Sequence, residues 1–146
     1  MLAEIVRIAT APASIFPNEG RGFYADLSGH SLPNMPPWTV SIGAQYDLDL
    51  PDGWRSTLRV DYYHQGDSWA RVYQDPIDAI RGWSNVNLRL TLTPPRRRLE
   101  IEIYCKNLFN STAITGTFLN SDNTYLSDNV FTTDPRLIGA SVTMRF

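Results

Sequence analysis

Residues 38–50 read WTVSIGAQYDLDL. Trp38, Val40, Ile42, Ala44, Tyr46, Leu48 and Leu50 alternate with Thr39, Ser41, Gly43, Gln45, Asp47 and Asp49. Successive side chains of an extended chain point to opposite faces, so this period of two predicts a strand with one apolar and one polar face. The length of the run matters more than its regularity. Ordinary strands run about five to six residues, whereas a tilted strand that crosses a bilayer needs about nine to eleven. The stretch is long enough to cross.

The same pattern recurs outward from this segment. Pro51, Asp52 and Gly53 are turn formers. Beyond them Trp54, Ser56, Leu58, Val60, Tyr62 and His64 alternate with Arg55, Thr57, Arg59, Asp61, Tyr63 and Gln65. Two long strands on a short turn predict a hairpin. Residues 84–93 set Val86, Leu88, Leu90 and Leu92 against Asn85, Asn87, Arg89 and Thr91. Residues 99–106 set Leu99, Ile101, Ile103 and Cys105 against Glu100, Glu102, Tyr104 and Lys106. The last run sets Ile138, Ala140, Val142, Met144 and Phe146 against Gly139, Ser141, Thr143 and Arg145. Leu2 to Ala9 is a weaker strand, because Ile5 and Val6 are adjacent. The expectation is an all-β chain: an antiparallel up-and-down meander of about six long strands.

The connections alternate in length. Residues 10–37 hold Pro12, Pro17, Pro33, Pro36 and Pro37 with Phe16, Phe23 and Tyr24, and read as a long loop that packs against something. Residues 66–82 and 109–134 read as two further long loops, while 51–53 and 93–98 are short turns. Short periplasmic turns and longer extracellular loops are the habit of transmembrane barrels. On that orientation the chain ends on the periplasmic side. Trp54 and Phe146 then fall at the periplasmic interface, and Trp38, Tyr62 and Trp83 at the outer one, as two aromatic girdles. The polar faces carry Asp47, Asp49, Arg55, Arg59, Asp61, Arg89, Glu100, Glu102, Lys106 and Arg145. In a barrel these line a wet lumen; in a soluble sheet they would be the solvated face. A soluble or surface β-sheet ligand-binding module is therefore the alternative, with strand length against it.

Composition excludes several classes. A chain of 146 residues is one domain or part of one. A net charge of −2 leaves no broad basic field for nucleic acid, and Arg96, Arg97 and Arg98 read as a solvated corner. The single cysteine, Cys105, excludes an internal disulfide and a multi-cysteine metal site, and packs as a small hydrophobe. No apolar run reaches the ~18 residues of a membrane helix. A mean hydropathy of −0.26 suits strands that alternate. Residues after Met1 lack the basic, apolar and cleavage regions of a secretory leader, which for an exported protein implies a missing N-terminal part.

No catalytic constellation emerges, and no cofactor is expected. His30 and His64 lack a neighbouring nucleophile with a positioned acid. Asp122, Asn123 and Asp128 do not follow the calcium-loop spacing and read as a solvated loop. Asn110, Ser111 and Thr112 match the glycosylation triplet, a short pattern that carries no weight by itself.

Three landmarks resemble TonB-dependent outer-membrane receptors. GHSLPNMPPW (29–38) is similar to their Leu-Pro-Asn-x-Pro-x-Trp segment, and YCKNLFN (104–110) to the Lys-Asn-Leu segment before their last loop. Pro135 and Arg136 before an alternating strand that ends on Phe146 resemble their final strand. Together the landmarks cover residues 29–146. The resemblance implies the last six strands of a barrel of about 22, in the outer membrane of a Gram-negative bacterium. By that implication, residues 1–146 are a partial barrel domain, without the plug domain and the earlier strands. It also implies partners for the full-length parent: outer-membrane lipid, the plug, TonB and the barrel-insertion machinery, which reads Ile138, Val142, Met144 and Phe146. The implied function is uptake of a scarce nutrient such as an iron–siderophore, with the fragment alone not competent for transport.

Overall fold

The computed structural model describes residues 26–95, 98–120 and 127–145. The candidate strand Leu2–Ala9, the aromatic residues Phe16, Phe23 and Tyr24, the basic residues Arg96 and Arg97, the loop residues Asp122 and Asn123, and Phe146 all lie outside the described residues. Within them run β1 (Thr39–Asp49), β2 (Arg55–Gln65), β3 (Ser68–Trp69), β4 (Ala79–Ile80), β5 (Trp83–Thr93), β6 (Leu99–Lys106), β7 (Ile114–Leu119), β8 (Asp128–Thr132) and β9 (Leu137–Met144). The five long strands form one antiparallel sheet in the order β1-β2-β5-β6-β9, as the alternation predicts. The sheet is open, with β1 and β9 at its edges.

Two of the expected long loops contain additional strands. Residues 66–82 fold back as the β3–β4 pair, and residues 109–134 carry the β7–β8 pair. Their alternation was hidden for physical reasons. β3 and β4 are two residues each. β7 has an irregularity between Ile114 and Gly116 that breaks the period of two.

Pairing is in continuous register from edge to edge. Ala44 stands opposite Val60, Val60 opposite Leu88, Leu88 opposite Cys105 and Cys105 opposite Ile138. One position along, Gln45, Arg59, Arg89, Tyr104 and Gly139 form the adjacent row. Rows therefore alternate mainly apolar with mainly polar or small, with Ser56, His64 and Ser84 on the apolar face and Trp83 on the other, and each alternation in the sequence becomes one face of the sheet. The Tyr104 ring lies over Gly139, in space that a Cβ there would occupy. The first short turn uses left-handed Asp52 (φ 61°) and Gly53 (φ 74°), and a Cβ on Gly53 would come within 3.1 Å of Pro95 in the second short turn. The two short turns thus pack side by side.

Among the described residues, none forms a second layer over the apolar face. Ile42, Leu58, Ile103, Val142 and Met144 all belong to it and are exposed, Val142 to 66%. Among the described residues the buried apolar side chains are Ala70 and Ile80, both in the connection between β2 and β5. A water-soluble sheet would bury that face against a second layer. In a bilayer hydrocarbon would supply that cover, provided every strand N–H and C=O is paired. Leu90→Arg is expected to cost about 2–4 kcal/mol of folding free energy in a bilayer. Arg89, one residue away on the other face, is expected to tolerate Lys or Gln without that penalty. Denaturant unfolding of the membrane-inserted full-length protein measures both, and equal costs at the two positions would contradict the assignment of faces.

Candidate functional site

Charged residues converge on one face because the register brings them there. Arg55 Nε lies 3.0 Å from Asp49 Oδ1, its direct cross-strand partner. Asp47 accepts from Thr57 Oγ1 at 2.6 Å, again directly across. Arg59 holds Asp61 two residues along the same strand through Nε and Nη2, at 2.7–3.1 Å. Glycine at 43 leaves room for this fork, since a Cβ there would come within 3.1 Å of Asp61 Oδ1.

The centre of the face is organised by a like-charge pair. Arg59 stands directly opposite Arg89, an arrangement that destabilises a sheet unless countercharge is near. Asp61 neutralises Arg59, while Arg89 leans toward Glu102 at the longer distance of 3.5 Å. Lys106 Nζ lies 5.9 Å from the centre of the Tyr104 ring and has no carboxylate within 4 Å among the described residues. Asp61, Asn87, Arg89, Glu102, Tyr104 and Lys106 surround a cleft of about 340 Å³. In its lining Arg89 and Lys106 balance Asp61 and Glu102, so the cleft is polar without a net charge. At the short-turn end Asp49, Arg55, Glu100 and Arg145 line a second cleft. All ten sequence-predicted polar residues therefore share one face, in a central and a turn-end group, with Asp47 between them.

The long connections gather at the opposite end. Asn34 N donates to Trp69 O at 2.7 Å and His30 Nδ1 donates to Val72 O at 2.7 Å, tying the first loop to the second. Arg71 joins the second to the third. Its Nε sits 2.5 Å from Asp78 Oδ1, and its Nη2 lies 3.7 Å from Asp128 Oδ1. The second distance is a charge contact, too long for a hydrogen bond. Asp78 is 1% exposed, so this carboxylate depends on Arg71 for its countercharge.

Asn107 is the residue that sequence reasoning passed over. It sits in the left-handed region (φ 49°) and is 4% exposed. Its Nδ2 donates to Ser111 O at 2.9 Å and to Asp134 O at 2.8 Å, and its Oδ1 accepts from Ser111 N at 3.0 Å. Asn110, also left-handed at φ 52°, accepts from Arg136 N at 2.9 Å. The two asparagines clamp the start of the last connection to its end. The signal was visible as two asparagines in YCKNLFN, a residue type that tolerates this conformation and hydrogen-bonds backbone locally.

The aromatic positions divide. Trp38 and Tyr62 lie at the loop end on the apolar face, and Trp54 lies beside the short turn. Trp83 is a correction: by register it shares the face of Arg89, opposite Gln65, with its ring 5.2 Å from Tyr63. Strand parity, not closeness to a loop, decides which way a side chain points, so Trp83 does not share the apolar face of Trp38 and Tyr62. Ile138, Val142 and Met144 are exposed along the β9 edge strand.

The sequence profile described as TonB dependent receptor-like, beta-barrel matches residues 13–108, about two-thirds of the chain. The chain belongs to that family. It is accordingly part of an outer-membrane receptor and transporter barrel. No curated protein and no solved structure matches the chain significantly.

Two substitutions test how this receptor's loops are held. Arg71→Ala is expected to weaken the second loop by about 3–5 kcal/mol, because it leaves Asp78 buried without a countercharge. Asn107→Ala is expected to cost about 2–4 kcal/mol, from three lost hydrogen bonds and a non-glycine left-handed residue. Hydrogen exchange in residues 66–82 and 107–136 reads each effect locally. Wild-type protection in both variants would show that neither clamp matters.

Proposed function

We propose that this chain forms the C-terminal strands of a plugged, energy-coupled receptor that imports a scarce nutrient, of which an iron–siderophore is the leading candidate. The observation that carries this reading is the division of one continuous sheet into an uncovered apolar face and a face bearing all ten charged positions. On this reading the charged face lines the lumen, the plug and TonB act in the full-length protein, and the loop end faces outward to meet cargo. Residues 1–146 are then a partial barrel domain. Transport needs the closed barrel and the plug, because an open sheet leaves two edges unpaired in hydrocarbon.

Cargo is tested in cells. Deleting the full-length receptor is expected to abolish uptake of its labelled ferric–siderophore, and a TonB-deficient strain to behave the same way. Uptake that survives both deletions would overturn the proposed cargo class. Orientation is tested separately, in a Cys105→Ala background. Tyr73→Cys, in the second loop, is expected to react with a membrane-impermeant maleimide on intact cells, and Asp52→Cys, in a short turn, only after lysis.

The same reading assigns β9 to assembly. Ile138, Val142 and Met144 present an apolar ridge on an edge strand able to pair with the insertion machinery. Phe146→Asp is expected to reduce the heat-modifiable folded fraction in outer membranes more than Trp54→Asp does. Equal losses would leave Phe146 as an interface anchor only.

A further inference from the structure

The five long strands share one register, but the joins between them do not all set it by the same means. Residues 50–54 join β1 to β2, and residues 94–98 join β5 to β6, so a short turn fixes which residues meet. Between β6 and β9 lie residues 107–136, too long a connection to do this. Alternation does not close the gap. A one-residue slip of β9 would exchange its faces, but a two-residue slip would keep them. One such slip is rejected by the faces themselves, because it would set Arg136 opposite Cys105. The other is not. It would set Cys105, Ile103 and Ile101 opposite Ala140, Val142 and Met144, apolar on apolar, and Glu100 opposite Arg145.

The two registers differ on the polar face. Gly139 is the direct partner of Tyr104, and it is half-buried while the other seven residues of β9 are exposed. The Tyr104 ring is what covers it. A Cβ on Gly139 would collide with Tyr104 Cζ and Oη and come within 3.0 Å of Cε1. Gly139 is not in the left-handed region, so its backbone does not require glycine. Glycine inside a strand costs stability and often marks a close approach; a ring laid over it recovers part of the loss. Lys106 Nζ stands 5.9 Å from the ring centre, within the range of a cation–π contact that favours this position. In the slipped register Tyr104 would face Ser141, whose side chain takes the space that the ring needs.

We infer that Tyr104 and Gly139 form a register key, which selects the pairing of β9 on β6 from the two that the faces allow. Tyr104 is a positioning residue: its ring seats only where the opposite strand lacks a Cβ. The clamps made by Asn107 and Asn110 hold the two ends of the last connection from outside the ladder, whereas the key acts within it. The key acts while β9 first pairs, because a completed ladder in hydrocarbon has no freedom to shift. It does so whatever cargo the receptor carries and whichever end of the strands faces outward.

The test uses Cys105 as a reporter in the full-length receptor, with any cysteine elsewhere replaced by alanine. Ile138→Cys sets a second thiol opposite Cys105 in the observed register, and Ala140→Cys sets one there in the slipped register. Receptor newly inserted into outer membranes is oxidised with copper–phenanthroline, and mass spectrometry of the linked peptides gives the ratio of the 138 link to the 140 link. Tyr104→Ala is expected to lower that ratio about fivefold. Gly139→Ala is expected to do the same by displacing the ring, and Tyr104→Phe, which keeps the ring, to leave the ratio unchanged. Gly139→Ser combined with Ser141→Gly moves the notch by two residues and is expected to turn the ratio in favour of the 140 link. Heat-modifiable migration measures folding separately in each variant. An unchanged ratio in both Tyr104→Ala and the moved-notch variant would overturn the inference. So would a shift in Asn107→Ala as large as that in Tyr104→Ala, which would assign the register to the loop clamp.

Discussion

Everything in this chain depends on the pairing of backbone N–H and C=O groups between neighbouring strands. In hydrocarbon an unpaired peptide group costs several kcal/mol, so a spanning strand has no freedom to slip or fray within the bilayer. Once β1, β2 and β5 are locked in register over their full lengths, the face of every side chain follows. A shift of one residue would move Leu58, Leu88 and Leu90 to the charged face and Arg59 and Arg89 to the apolar one. The ladder and the two-residue period are one constraint, and the separation of apolar from charged faces is its consequence.

That constraint ranks the polar interactions. The pairs Arg55–Asp49 and Arg59–Asp61 have side chains between 42% and 79% exposed. Screened by water, such exposed pairs contribute little, so they do not hold the sheet. They arrange charge on it, most visibly where Asp61 relieves the opposed Arg59 and Arg89. The loops differ, because only the short β3–β4 and β7–β8 ladders hold them. There a buried carboxylate, Asp78, and a buried amide, Asn107, add to regular pairing as ordering elements. Membership of the TonB-dependent receptor-like barrel family gives both parts a context: a rigid wall below, and a loop layer tied together by a few side chains above.

The sheet was legible in the sequence because its physics is local. Alternation over residues 38–65, 84–93 and 99–106 predicts the same strands that pair, to within a residue at most ends. The charged positions were legible for the same reason, since parity along a strand is enough to assign a face. Trp83 was misplaced because closeness to a loop was given more weight than its parity. The β3–β4 and β7–β8 pairs were not legible, being too short or too irregular to show a period.

The sequence by itself determined an all-β chain of long two-faced strands, their order along the chain and the alternation of short and long connections. It determined these because each depends on neighbours one or two residues away. Only the tertiary structure decided which residues meet. The opposition of Arg59 and Arg89, the Tyr104 ring over Gly139, the reach of Arg71 to Asp128, and the grip of Asn107 on Asp134 join residues distant in sequence. Such contacts depend on register and loop closure, and no local period encodes either.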